Sequence, residues 1–203
     1  YEELIDTKPK GRHAATAHFH IAELCFINGN YDCALDHLEA INCESISDDL
    51  GETIHFRRGE ILYKRGNFEK SSITLGDYID SCDSGEYTSH NQRSDAVKYL
   101  TSCFLEMDSG AEKMVIYFGE AGSRSFEDTI TYALAIKSYE SDQYQSAVTQ
   151  LSRAIKQFPF YENAPVAQAL IIDSYFSLRA RERKKVRRLE LAELRDLAIW
   201  DLE

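Results

Sequence analysis

The histidines, the cysteines and one dense run of arginine and lysine are the side chains whose types and spacing could do chemistry. His13, His18 and His20 lie close together, but no carboxylate or cysteine at ligand spacing completes a metal site beside them. His18 and His55 hold equivalent places in two similar segments, which is how packing residues recur. The five cysteines (Cys25, Cys33, Cys43, Cys82, Cys103) show no paired-ligand spacing, and their number is odd. Free cysteine commonly behaves as a small buried apolar residue. Cys25 and Cys33 also flank a tight turn, where a disulfide is within geometric reach. No phosphate-cradling glycine loop and no nucleophile motif is present. The expectation is a non-catalytic protein, without cofactor or metal, that holds other molecules.

Arg179, Arg181, Arg183, Lys184, Lys185, Arg187 and Arg188 fall within ten residues, opposed only by Glu182. That run carries +6 while the chain carries −11, which leaves −17 on the remainder. So acidic a chain is a poor general binder of nucleic acid, which requires a basic face to neutralise phosphates. The run reads first as a solvated helix start facing the acidic body. A docking site for a partner or an anionic membrane surface is its second reading. The apolar-rich stretch from Leu189 to Trp200 then suits a capping helix.

The elements that must position these groups are helices. Hydrophobic residues make up 43% and charged residues 28%, the balance of an ordinary folded domain. Three prolines and ten glycines leave long stretches free of helix breakers. No run of about 18 apolar residues exists, so no segment is expected to span a membrane.

Three segments align by eye: Ile21 to Ala34, Arg58 to Ser71 and Leu134 to Ala147. Each has a small residue mid-helix (Ala22, Gly59, Ala135), where two helices of a pair must approach closely. Each then has a turn residue (Gly29, Gly66, Asp142) suited to a left-handed conformation after a helix end. An aromatic (Tyr31, Phe68, Tyr144) opens the second helix, and a small residue (Ala34, Ser71, Ala147) permits the return contact. Pro159 stands where a proline stops a helix. The reading is ten helices, near 13–28, 31–43, 51–65, 68–82, 91–108, 111–122, 125–141, 144–158, 162–179 and 183–200. The segment from Cys82 to His90 is expected to be a surface loop.

These residues resemble the tetratricopeptide repeat, a helix-turn-helix of about 34 residues. The resemblance implies an all-α fold, a right-handed α-α superhelix of about five helix pairs forming one solenoid over 1–203. The repeats fall near 14–47, 51–82, 93–122, 126–159 and 162–200, with the third degenerate and the fifth departing in its second helix. Tyr1 to Asp6 before Lys8-Pro9 reads as a helix tail and turn, so a longer parent chain is expected. In such solenoids the first helix of each pair lines the concave side. Phe19, Phe56, Tyr99 and Tyr132 are therefore expected near an open groove. Phe26, Tyr63 and Tyr139 recur two turns on, where they either join the groove or pack into the hairpin; Phe176 continues the series, and Glu23, Glu60 and Asp173 stand between. Such a groove suits a protein or peptide partner with apolar anchors and some positive charge.

Narrower phrases add a location. Tyr1 to Ile5 with Lys8-Pro9-Lys10, Ala14, Ala17 and Ala22-Glu23-Leu24 resembles repeats of bacterial envelope proteins, including the lipoprotein subunit of the outer-membrane barrel-assembly machine. Phe158-Pro159 with Ala164, Ala167 and Ser174-Tyr175 is similar. Asp95 to Leu100 is similar to repeat proteins of delta-proteobacterial envelopes, including gliding-motility components. The resemblance implies a periplasm-facing or envelope-associated scaffold. A cytoplasmic adaptor or regulator using the same groove is the alternative. Nucleic-acid or membrane docking through residues 179–188 is the third reading, any membrane association being otherwise indirect.

Overall fold

The computed structural model describes residues 12–41, 46–122 and 124–200, with side chains from residue 13 to 191 except at 121. Among the described residues the chain is all-helical and contains no strand. The helices are α1 (Arg12–Ile27), α2 (Tyr31–Glu39), α3 (Asp48–Lys64), α4 (Phe68–Asp83), α5 (Arg93–Glu106), α6 (Gly110–Ala121), α7 (Glu127–Glu140), α8 (Tyr144–Gln157) and α9 (Ala164–Trp200). Sequence-adjacent helices pack as pairs, the architecture expected of an α-α array. The turn expected at Lys8-Pro9, Cys43 and the end of the helix expected over 31–43 lie outside the described residues.

The repeated turn has one backbone solution used three times. Gly29, Gly66 and Asp142 take φ of 73°, 80° and 62°, the left-handed region that glycine enters freely and aspartate tolerates. After each, the chain enters a second helix. Asn30 and Asn67 cap α2 and α4, their side-chain oxygens accepting from the backbone N–H of Cys33 and Lys70 at 3.3 Å each. The close approach between paired helices is equally literal. A Cβ at Gly59 would lie 2.5 Å from Leu75 Cδ2 on α4. Ser71 Oγ donates to the Gly59 carbonyl at 2.8 Å across the same contact.

The chain divides into two compact units, Tyr1–Phe126 and Glu127–Glu203. In the first, Ala22, Ala34, Leu38, Ile54 and Ile61 anchor one core cluster, and Leu75, Tyr78, Ile79, Leu100 and Phe104 are buried further along. In the second, Tyr132, Ala135, Ala147, Leu151, Ala154, Ala164 and Ala167 form a core dominated by small residues. Stacking of neighbours supplies what no single pair buries alone.

Two expectations require correction. The break expected between 162–179 and 183–200 is absent: α9 runs 37 residues without interruption. Aligning Ser174-Tyr175 on Ser138-Tyr139 puts Leu178 where Asp142 makes its turn. A leucine has no access to a left-handed turn, and the following Arg, Ala, Glu and Lys residues all favour helix, so it continues. The loop expected over Cys82–His90 is shorter and is fastened down. Cys82 and Asp83 belong to α4, Ser89 Oγ donates to Glu52 Oε2 at 2.7 Å, and Tyr87 Oη lies 2.9 Å from His55 Nδ1.

Candidate partner-binding faces

In the first unit, the first helices of three successive pairs are joined by one row of polar and aromatic contacts. Arg57 on α3 is its centre. Its Nε lies 2.6 Å from Glu23 Oε1 on α1, and its Nη2 donates to Glu23 Oε2 at 3.0 Å. Its Nη1 donates to Glu60 one turn away on α3. Glu60 in turn accepts from the hydroxyl of Tyr99 on α5 at 2.8 Å. The Arg57 guanidinium sits 4.8 Å from the centroid of the Phe26 ring, and the Lys64 ammonium sits 5.9 Å from that of Tyr99. Tyr63 packs on Tyr99 and on Phe68 at 5.2 and 5.5 Å between centroids. Burial, with the Glu60 carboxylate beside it, pushes the Tyr99 hydroxyl up to about 12, so it stays a donor.

The row unites Glu23, Glu60, Tyr63 and Tyr99 and adds Arg57, Lys64 and Phe26. Arg57 stands one helical turn before Glu60, the repeat equivalent of Glu23, and so reaches both acids. The two acids are consequently not open anchors for a positive partner, since both already pair with Arg57. Phe19 is half-buried against the first core cluster. Phe56 and Tyr132, expected near an open face, are core residues at 7% and 2% exposure. Phe56 is wedged between Tyr78 and Tyr99. Tyr132 stacks on Tyr161 at 4.6 Å. The reason is shared: each faces its own pair's helix or connecting turn, where an aromatic fills more volume than the small residues around it.

In the second unit Tyr139 is half-buried, packs on Tyr144 at 5.6 Å and donates its hydroxyl to Asp173 of α9. Phe176 is 66% exposed, and Val166, Ile172 and Tyr175 share its exposure on α9. Beyond Leu178 every side chain through Leu191 is exposed. Arg179, Arg183, Lys184, Lys185, Arg187 and Arg188 all stand in solvent. Arg181 is engaged: it donates to the Asp142 carbonyl at 2.9 Å, approaches the Asp142 carboxylate at 3.3 Å and lies 4.6 Å from the Tyr144 centroid. It therefore fastens α9 to the turn between α7 and α8.

The equivalent histidines are packing residues with unlike partners. His18 Nδ1 lies 2.9 Å from His37 Nδ1 on α2, so one ring donates and the other accepts. His55 pairs with Tyr87 and meets the Tyr78 ring edge-on at 5.7 Å. Burial, then the neighbouring His37, lowers the His18 pKa; burial also lowers that of His55. A cleft of about 330 Å³ opens beside His55, lined also by Ile46, Asp48, Arg58, Glu86 and Tyr87. Arg58 there donates to the Leu38 carbonyl at 2.6 Å, satisfying the end of α2. Cys25 and Cys33 form a disulfide with Cα atoms 5.9 Å apart, while Cys82 and Cys103 are buried free thiols. Among the described residues no cluster of three or more His, Cys, Asp or Glu side chains is placed to hold a metal ion. None of the described helices is long and apolar enough to cross a membrane. No protein-family model matches the chain, and no curated protein matches it.

Proposed function

We propose that the protein is a non-catalytic tetratricopeptide-like scaffold that binds a peptide or partner protein along the α1–α3–α5 row. The observation that carries this reading is the continuity of the row across three successive first helices, with Tyr63, Lys64 and Tyr99 at its accessible edge. Rigid aromatic rings beside a fixed charge pair are the usual anchors of a small interface. The preferred location is a bacterial cell-envelope complex. The envelope-like phrases support it, as does the Cys25–Cys33 bridge, which persists in oxidising compartments. A cytoplasmic adaptor is the alternative. A display library of random peptides tests the row: enriched peptides should bind wild type and lose tenfold or more with Tyr99→Ala plus Lys64→Ala. Undiminished binding by a variant that melts like wild type sinks the reading.

A second reading, docking through the basic run, is favoured by the unbroken exposure of Arg183 to Arg188. Its signature is binding to anionic vesicles or nucleic acid that falls steeply with salt.

A further inference from the structure

Three helix pairs close with the same pair of backbone bonds. Asn30, Asn67 and Gln143 donate their N–H to Cys25, Leu62 and Ser138 carbonyls at 2.8, 2.9 and 2.9 Å. Gly29, Gly66 and Asp142 donate to Phe26, Tyr63 and Tyr139 carbonyls, each at 2.9 Å. At the places of Cys25 and Cys33, the second pair has Leu62 and Lys70, and the fourth has Ser138 and Ser146. The turn thus forms twice without a covalent link: Leu62 and Lys70 are not joined, and Ser138 and Ser146 are bridged only by hydrogen bonds to Gln150, at 3.3 and 2.8 Å. A disulfide in the first pair is not needed to shape it.

What distinguishes the first pair is its second helix. α2 has 9 residues, against 16 in α4 and 14 in α8. Helices this short are marginal unless held from outside. The bridge joins the last turn of α1 to the first turn of α2. Around it, the rings of Phe26 and Tyr31 meet at 6.0 Å, and Asp32 pairs with Arg65, just past the end of α3, at 2.7 Å. Glu23 and Phe26, the two α1 residues that hold Arg57, flank Cys25 in the same turn.

We propose that Cys25–Cys33 is a redox clip: the first helix pair, and with it the α1 end of the Arg57 row, is firmly ordered only while the bridge is closed. Opening requires a dithiol reductant. The S–S bond breaks, two electrons and two protons pass to Cys25 and Cys33, and the dithiol leaves as its own disulfide. Exchange stays confined to this pair among the described cysteines. Cys103 is fully buried, its thiol pushed up to about 11 by burial, and Cys82 is buried with its thiol likewise raised. Neither supplies the thiolate that reshuffling needs.

The test is hydrogen exchange and differential alkylation of the full chain, with and without dithiothreitol. Without reductant Cys25 and Cys33 should resist iodoacetamide. With it they should react, and amides of α1 and α2 should exchange roughly 50- to 100-fold faster, as expected for releasing a short closed loop. Amides of α7 and α8 should not change. The Cys25→Ser, Cys33→Ser double variant should exchange like reduced wild type whether or not the dithiol is present. Alkylation of Cys25 and Cys33 before reduction would overturn the clip. So would unchanged exchange in α1 and α2 after reduction, or an equal acceleration in α7 and α8.

Discussion

The Arg57 row and the tail of α9 both looked like charged binding surface, and they have opposite fates. In the row, two acids that recur at repeat spacing are drawn by helix packing onto one shared base, Arg57. In α9, six basic side chains between Arg179 and Arg188 are exposed and meet no such complement among the described residues. The difference starts from one residue. Where Gly29, Gly66 and Asp142 reverse the chain, a second helix returns and first helices stack side by side; where Leu178 stands instead, the helix continues. Repetition brings like positions into contact, so charge in a closed repeat is spent internally. Charge beyond the last turn is not.

The comparison breaks hardest at the buried aromatics. Phe56→Ala and Tyr132→Ala should each cost about 3–5 kcal/mol, the range for emptying a large core site. Chemical denaturation measures this directly. If either variant unfolds within 1 kcal/mol or so of wild type, its ring is not core and the groove first inferred from sequence regains a member. Next come the close contacts that make stacking possible. Ala34→Leu and Ala147→Leu, both at positions with no exposure, should destabilise by about 1–3 kcal/mol through overpacking. Equal stability of both would mean that paired helices do not meet there.

The turn chemistry was readable because φ constraints act locally: a glycine or aspartate at a helix end states its own conformation. Helix pairing followed from it, as did burial of Ala22, Gly59 and Ala135. The orientation of the aromatics was not readable. A spacing of seven says that Phe19 and Phe26 share a face of α1, but not which neighbour that face meets. Phe56 and Tyr132 were placed outward because position in the repeat was used in place of volume. Arg57 was missed because the chemistry was sought among residues of one sign. The length of α9 was missed for a simpler reason. An apolar-rich segment after a basic one suggested two elements, whereas nothing between them can stop a helix.

A smaller effect separates the two equivalent histidines from the rest. Burial lowers the pKa of both His18 and His55; His37 adds to it at the first, and at the second Arg58 adds while Asp77 opposes. The folded chain therefore binds fewer protons than the unfolded chain just below the ordinary value of 6.5. Stability should be full above that pH and fall as pH drops through it, levelling once the lowered folded values are passed. Melting midpoints between pH 7.5 and 5.5 should decline, and the His18→Gln, His55→Gln variant should flatten that slope. A slope unchanged by the substitutions would assign the decline to carboxylates.

The smallest expected effect is the most discriminating for α9. Arg183, Lys184, Arg187 and Arg188 are exposed and make no ion pair among the described residues, so changing all four to Gln should alter stability by no more than about 0.5 kcal/mol. Arg181→Gln is the internal control. It removes contacts to Asp142 and to the Tyr144 ring, and a cation over an aromatic face is worth about 0.5–1 kcal/mol at an exposed site. One substitution should therefore cost more than four. If the fourfold variant is instead the less stable, the basic run packs on some part of the acidic chain, and the contrast with the Arg57 row dissolves. If it is as stable as wild type yet loses a salt-sensitive ligand, the open charge of α9 is an interface, and the row and the tail serve two different partners.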